Sequence, residues 1–288
     1  MFSTKQLKEL TKLINEQEHN LVTIIKHFTK SYTFKTNEEL KEAVKLWCSN
    51  KDECLKKYGH ISNWDVSNIT DMREMFSYTT SFNEHLNNWD VSNVTNMESM
   101  FNGATTFNQP LNNWDVSNVT NMIGMFSGAN SFNQPLNNWN VSNVTDISEM
   151  FCGAETFNQS LNNWDVSNVT DMYAVFYWTL YFNQPLNNWN VSNVTNMESM
   201  FTKAYSFNHP LNDWDVSNVN NMIGMYYDAK SFNKPLNNWN VSNVTNMRHM
   251  FLKAESFNQP LNDWNISNVT NMSCMFYGTK SFNQPETL

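Results

Sequence analysis

Basic side chains, cysteines and long apolar runs are all scarce in this sequence, and each shortage closes off a class of function. The 18 Lys and Arg stand against 27 Asp and Glu, a net charge of −9. Residues 1–59 hold 11 Lys and 8 acids (net +3), which leaves 7 Lys/Arg and 19 acids (net −12) for residues 60–288. A phosphate-binding groove needs Lys and Arg clustered on one face, so an acidic body argues against a nucleic-acid partner. No apolar run reaches the roughly 18 residues that a membrane span requires. Met1 to Asn20 interleaves Lys with Glu and lacks the features of a signal peptide, so the chain reads as intracellular. The four cysteines, Cys48, Cys54, Cys152 and Cys274, form no paired framework. Cys48 and Cys54 could bridge in an exported protein, but buried free thiols fit an intracellular one. His19, His27, His60, His85, His209 and His249 fall at unrelated positions, with no nucleophile or metal spacing around them. The few glycines build no phosphate-cradling loop. No catalytic constellation, cofactor site or metal site is expected.

What the chain has in abundance is a 25-residue unit. Trp64, Trp89, Trp114, Trp139, Trp164, Trp189, Trp214, Trp239 and Trp264 mark its period. A fixed period of this length means an array in which each unit buries its apolar face by stacking on its neighbours. Within the second unit, Leu86-x-x-Trp89-x-Val91 alternates apolar with polar, which predicts a short strand with Trp89 and Val91 inward and Asp90 outward. Met97, Met100, Phe101 and Ala104 then fall at i, i+3, i+4 and i+7, the stripe of about two helical turns. Thr95 and Glu98 would form a capping box at its start, and Gly103 would end it. Sixteen of the 17 Met lie in the Met97 and Met100 columns, where they read as core filler packing sulfur on rings. The predicted fold is therefore a repeat solenoid, leucine-rich-repeat-like: nine coils over residues 60–285, each with one short parallel strand and one short helical segment.

Residues 1–34 carry a helical rhythm through Leu7, Leu10, Leu13, Ile14, Leu21, Ile24, Ile25 and Phe28. They read as an N-terminal helical segment, one long helix or two short ones, that could serve as an adaptor or an oligomerisation element. In residues 35–59, Thr36-Asn37-Glu38-Glu39 is a capping box that opens a helix through Leu40, Ala43, Val44 and Trp47. A shorter helix from Asp52 to Tyr58 stops at Gly59. This α-helical N-terminal cap would cover the apolar end of the first coil.

The repeated Phe107-Asn108-Gln109-Pro110-Leu111-Asn112-Asn113-Trp114-Asp115-Val116-Ser117-Asn118-Val119-Thr120, with a lead-in from Glu39 to Cys48 and from Lys57 to Ser62, resembles the BspA-like surface-protein repeat family. That family occurs in mycoplasma lipoproteins, protists and giant DNA viruses. The resemblance spans roughly residues 35–285 and implies a leucine-rich-repeat-like solenoid used for adhesion or protein interaction, with no catalytic residues to carry over. Bacterial members usually carry a lipoprotein signal, which is not expected here, so the resemblance leans towards a viral or intracellular member. The expected function is a non-enzymatic protein-binding scaffold, a viral or host-interaction component.

Three features bear on partners. The outward column Asp65, Asp90, Asp115, Asn140, Asp165, Asn190, Asp215, Asn240 and Asn265 could hold calcium, but Asn substitutes freely and no calcium-loop motif accompanies it, so a solvated polar face is expected. Sequons such as Asn93-Val94-Thr95 read as by-products of the repeat. In the fifth unit, Tyr173, Tyr177, Trp178, Leu180 and Tyr181 take positions that are polar or small elsewhere, with Tyr205 and Tyr227 one and two units on. Grouped exposed aromatics are the composition of a protein-binding hot spot, so these seven residues are the candidate partner site. A glycan-binding adhesin would use the same rings. Met97-Glu98-Ser99-Met100 returns as Met197-Glu198-Ser199-Met200, a second period of 100 residues that points to block duplication. The last coil has no capping helix after it, so self-association or partner docking through that uncapped C-terminal coil is expected.

Overall fold

A computed structural model of the chain describes residues 31–283, together with Glu16 and Glu18, both exposed and helical. The helical segment expected over residues 1–34 otherwise lies outside the described residues up to Lys30, as do the five residues at the C-terminus.

Helix α1 (Asn37–Ser49) starts where its capping box places it: Thr36 Oγ1 accepts from Glu39 N at 3.1 Å, and the Glu39 carboxylate accepts from Lys35 N at 3.0 Å. Helix α2 (Lys51–Tyr58) is capped by Asn50 and stops at Gly59, whose φ of 77° suits a residue with no Cβ. The two helices close one end of the repeats, and Phe34, Trp47 and Tyr58 pack their rings around Trp64 at 5.0, 5.9 and 6.1 Å. The cap also supplies the hydrogen bonds a preceding coil would supply. Trp64 Nε1 donates to Gly59 O, Asn68 Nδ2 donates to Phe34 O, and Asn37 Oδ1 accepts from both Thr70 N and Asp71 N.

From residue 60 onward the chain forms stacked coils, with coil 1 at 60–84 and each later coil 25 residues on. Leu86, Trp89, Val91, Val94, Met97, Met100, Phe101, Ala104 and Phe107 of coil 2 all point inward and are almost wholly buried. Asp90 points outward. Rings stack through the body in three columns. Trp114 lies 6.4 Å from Trp139 with planes 2° apart, Phe101 5.6 Å from Phe126, and Phe107 6.0 Å from Phe132. Coils about 4.8 Å apart carrying rings at these longer spacings must offset the rings sideways, the parallel arrangement aromatic quadrupoles favour.

Polar side chains tie coil to coil. From Trp114 onward each repeat Trp donates its indole N–H to the Leu carbonyl of the preceding coil, as Trp114 does to Leu86 O at 2.9 Å, and Trp89 donates to Ile61 O, which stands in that Leu position. Asn93, Asn118 and their successors donate Nδ2 to a Ser carbonyl one coil back, at 2.7–2.8 Å. Asn108 Oδ1 accepts from Asn133 N at 3.0 Å, and that bond also repeats along the body. These amides satisfy turn backbone groups that have no partner within their own coil.

Two details of the expected coil are corrected. Pairing between coils does not occur in the Leu86–Val91 stretch; single parallel bridges run through Asp71, Asn96, Asn121, Asp146, Asp171, Asn196, Asn221, Asn246 and Asn271. The expected helical segment is also absent: among the described residues, α-helix within residues 31–283 is confined to the cap. Instead, 97–100 and 101–104 are tandem four-residue turns, closed by Met100 N to Met97 O at 3.2 Å and Ala104 N to Phe101 O at 3.0 Å. Their third residues, Ser99 and Gly103, sit at φ 52° and 67°, the sign a type II turn demands. The N–H groups of Met97, Ser99, Phe101 and Gly103 donate to the next coil at 2.7–3.0 Å, to Asn121, Ile123, Met125 and Ser127. A helix over the same residues would turn the N–H groups of Phe101 and Gly103 back onto its own carbonyls. Thr95 does not cap anything: its N–H and hydroxyl both go to Thr70 O of the coil before. Glu98 N is taken by Asn96 Oδ1 at 2.9 Å.

Candidate functional site

Tandem turns put their first and fourth residues inward and their two central residues outward. Every coil therefore presents four outward positions on one side, equivalent to 98, 99, 102 and 103 of coil 2, with the residue equivalent to 105 just beyond. This turn face is where the sequence varies. In coil 5 it carries Tyr173, Tyr177 and Trp178, and Leu180 follows. The Tyr177 and Trp178 ring centroids are 6.4 Å apart. Trp178 N donates to Thr202 O and Lys203 N to Tyr227 O, so Tyr227 stands in the column of Tyr177 two coils on. Tyr205 follows Leu180 in its own column, linked by the bond from Ser206 N to Leu180 O. Tyr181 lies at the edge of the group and is 60% exposed.

The structure thus brings Tyr173, Tyr177, Trp178 and Tyr227 onto the turn face of coils 5–7, with Leu180 and Tyr205 just beyond it and Tyr181 on its rim. Tyr173, Tyr177, Leu180, Tyr205 and Tyr227 are half-buried, while Trp178 is 42% exposed. The other ten tryptophans are each at most 5% exposed.

The group is partly engaged with its own chain. Lys203 Nζ sits 4.0 Å over the Trp178 ring, and Lys230 Nζ sits 4.3 Å over the Tyr205 ring. Burial pushes the Tyr173 hydroxyl above its ordinary pKa, and the Glu149 and Glu198 carboxylates push it further. Burial also raises Tyr205, helped by Asp228. Sequence reasoning missed these lysines, because position in a column does not reveal that the side chain lies across its neighbour. It missed two exposed rings as well, Tyr78 at 74% and Tyr277 at 70%. The signal was present in the 100-residue period, which pairs Tyr78 with Trp178 and Tyr177 with Tyr277. Tyr78 lies over Gly103, where an added Cβ would come within 2.7 Å of its ring.

The outward Asp/Asn column has a local task. Asp115 Oδ1 accepts from Ser117 N at 3.0 Å, and Asn140 Oδ1 accepts from Ser142 N at 3.1 Å. Either residue closes this turn, which is why they interchange. Bonds from the serine hydroxyl and N–H hold Asp65, Asp115, Asp165 and Asp215 below the usual carboxylate range. A depressed folded-state pKa contributes stability above the unfolded value, near 4, that is lost as pH falls through the folded value. Replacing all four by Asn is expected to flatten the fall in melting temperature below pH 4 and to lower neutral-pH melting by the small contribution these largely exposed carboxylates make there. Unchanged acid sensitivity would count against the assignment.

Among the described residues, no group of three or more His, Cys, Asp or Glu is placed to hold a metal ion. No helix among them is long and apolar enough to cross a membrane. All four cysteines are free thiols, with Cys54 buried under α1. No curated protein and no solved structure matches the chain. A repeat family described as "Mycoplasma protein of unknown function, DUF285" matches residues 48–160, 135–225 and 207–287, and together these stretches take in nearly every coil. With its 25-residue repeat matched from the cap to the last coil, the chain belongs to this mycoplasma repeat family.

Proposed function

We propose that the chain is a non-enzymatic solenoid scaffold that binds a protein partner through the turn face of coils 5–7. The exposure of Trp178, alone among eleven tryptophans, is the observation that supports this most directly. A large ring left half in solvent beside Tyr177 and Tyr181, in columns that most other coils fill with small or polar residues, is the composition of an interface anchor. The rest of the coil supports the reading by its rigidity: a body tied coil to coil presents such a patch without having to order it first. The finer resemblance to the BspA-like family, with its adhesive and host-contact roles, belongs to this proposal too.

Cross-linking followed by affinity capture from a host extract tests it. Full-length protein should capture a saturable partner, and the Tyr177→Ala/Trp178→Ala variant should lose at least about nine-tenths of it, as hot-spot truncations do. A double variant that still folds and retains the partner overturns the reading.

A second reading, self-association, has its own observation. Met272 of the last coil is 37% exposed although its counterparts in the earlier coils are fully buried, and Ile266, Val269 and Phe276 are likewise less covered than theirs. Light scattering on the same samples decides it: mass that rises with concentration supports assembly, and a constant monomer mass removes it.

A further inference from the structure

From Glu74 to Thr202 the chain contains no Lys or Arg and 11 Asp and Glu, a net charge of −11 over more than five coils. Among these acids Glu98, Glu149, Glu155 and Glu198 lie on the turn face or at its edge, in the coils that lead up to and flank the coil-5 rings. None of the four makes an ion pair among the described residues; their recorded partners are amides, Asn121 Nδ2 on Glu98, Asn221 Nδ2 on Glu198 and Asn130 Nδ2 on Glu155. Neutral amides leave the charge of a carboxylate in place. The first cation after Arg73 is Lys203, and it is drawn over the Trp178 ring; Lys230 does the same at Tyr205. The ring faces of this patch therefore already act as seats for ammonium groups, as aromatic quadrupoles allow.

We infer that the partner of this face presents a Lys- or Arg-bearing segment, lying over the carboxylates of coils 2–6 with its cations against the aromatic step of coil 5. The inference rests on the protein-binding reading above and names the chemistry of the partner. Charge sets the direction of docking. From coil 6 onward Lys203, Lys230, Arg248, Lys253 and Lys280 outnumber Glu198, Asp228 and Glu255 on the turn face and its edge, so a basic segment is drawn towards the cation-free coils 2–5. Glu149 and Glu198, in the coils before and after, act on the Tyr173 hydroxyl, which puts negative charge beside the rings rather than merely on the same molecule. An Arg guanidinium suits the site best, because it stacks on a ring while its N–H groups reach a carboxylate.

Trp178 is also the reporter, since it is the exposed indole. Titrating full-length protein with a synthetic peptide alternating Arg and Gly should give a saturable change in tryptophan emission. Peptides alternating Ser and Gly, or Glu and Gly, should give none. Affinity should fall about tenfold as salt shortens the screening length. The Glu149→Gln/Glu155→Gln/Glu198→Gln variant should bind the Arg peptide at least about tenfold more weakly. The control is Asp90→Asn/Asp115→Asn/Asp165→Asn, the same change in net charge on the outward Asp/Asn column, where Asn already stands in other coils. It should bind within about twofold of the parent protein, as distant charges do when screened. Equal response to the Ser peptide, or equal weakening by both triple variants, overturns the inference. If the Arg peptide fails while Tyr177→Ala/Trp178→Ala still abolishes capture, the basic chemistry falls and the protein-binding patch stands. If that double variant keeps its partner, the patch itself falls.

Discussion

Replacing Trp164 by alanine is expected to lower unfolding stability by about 4 kcal/mol, the range for truncating a buried Trp. The indole is 3% exposed, lies parallel to Trp139 at 6.4 Å and touches the Phe151 ring at 6.3 Å. Its N–H donates to Leu136 O of the preceding coil at 3.0 Å. Truncation opens a cavity between two coils and leaves that carbonyl without its donor. In a stack held by nearest-neighbour interfaces, a weak link in the middle also breaks cooperativity. Urea unfolding followed by circular dichroism should show an earlier transition with a reduced slope, as the two sides of coil 5 melt separately. Trp264→Ala in the last coil, which removes a ring stacked on Trp239 with no described coil beyond it, should cost less and leave the slope unchanged. Equal losses at both positions would mean that the columns do not transmit stability along the body.

Much of this was legible in the residues themselves. Each inward residue of coil 2 named from the pattern is buried, and so is the apolar face of α1, because burial follows the 25-residue register whatever the backbone does between. The backbone was harder. Inward positions at i, i+3, i+4 and i+7 fit a two-turn helix, but they equally fit two four-residue turns in tandem. The discriminating residues are those equivalent to Ser99 and Gly103. Gly recurs in both columns, at Gly124 and Gly224 and at Gly103, Gly128, Gly153 and Gly278, and all of these have positive φ. Glycine twice within eight residues, four apart, weakens a helix and suits two left-handed corners. An eight-residue helix would also have been marginal alone. Turns that send every second N–H to a neighbour gain their strength from stacking, a term invisible in any one repeat. The aromatic patch was legible for a related reason: Tyr173, Tyr177, Trp178 and Tyr181 put four aromatic rings on one coil, more than any other coil carries at these positions. The lysines lying across its rings were not, because that depends on side-chain direction, which for Lys203 and Trp178 is set by a positive φ.

Column-breaking residues also locate the largest expected gain in stability. Tyr226 stands where the other coils have Phe, its ring parallel to Phe201 and Phe251 at 5.6 Å and to Phe232 at 4.0 Å. It is fully buried, and its hydroxyl has no hydrogen-bond partner. Thr179 and Thr279 show the contrast. They replace a core Ala, yet each hydroxyl reaches a carbonyl of the preceding coil, Phe151 O at 2.8 Å and Phe251 O at 2.7 Å. A threonine oxygen on a short stem finds the backbone at the coil edge, whereas the Tyr226 oxygen is carried by its ring into the apolar interior. An orphaned buried hydroxyl costs about 1–3 kcal/mol, so Tyr226→Phe should raise stability by about 1–2 kcal/mol while keeping the ring stack. Burial also pushes the Tyr226 phenol well above its ordinary pKa, so in an alkaline titration one of the ten tyrosines should ionise only as the protein unfolds. Tyr226→Phe should remove that late component and raise the melting temperature together. A lower melting temperature would mean that the hydroxyl is satisfied in solution and that this break in the column is a bond of its own.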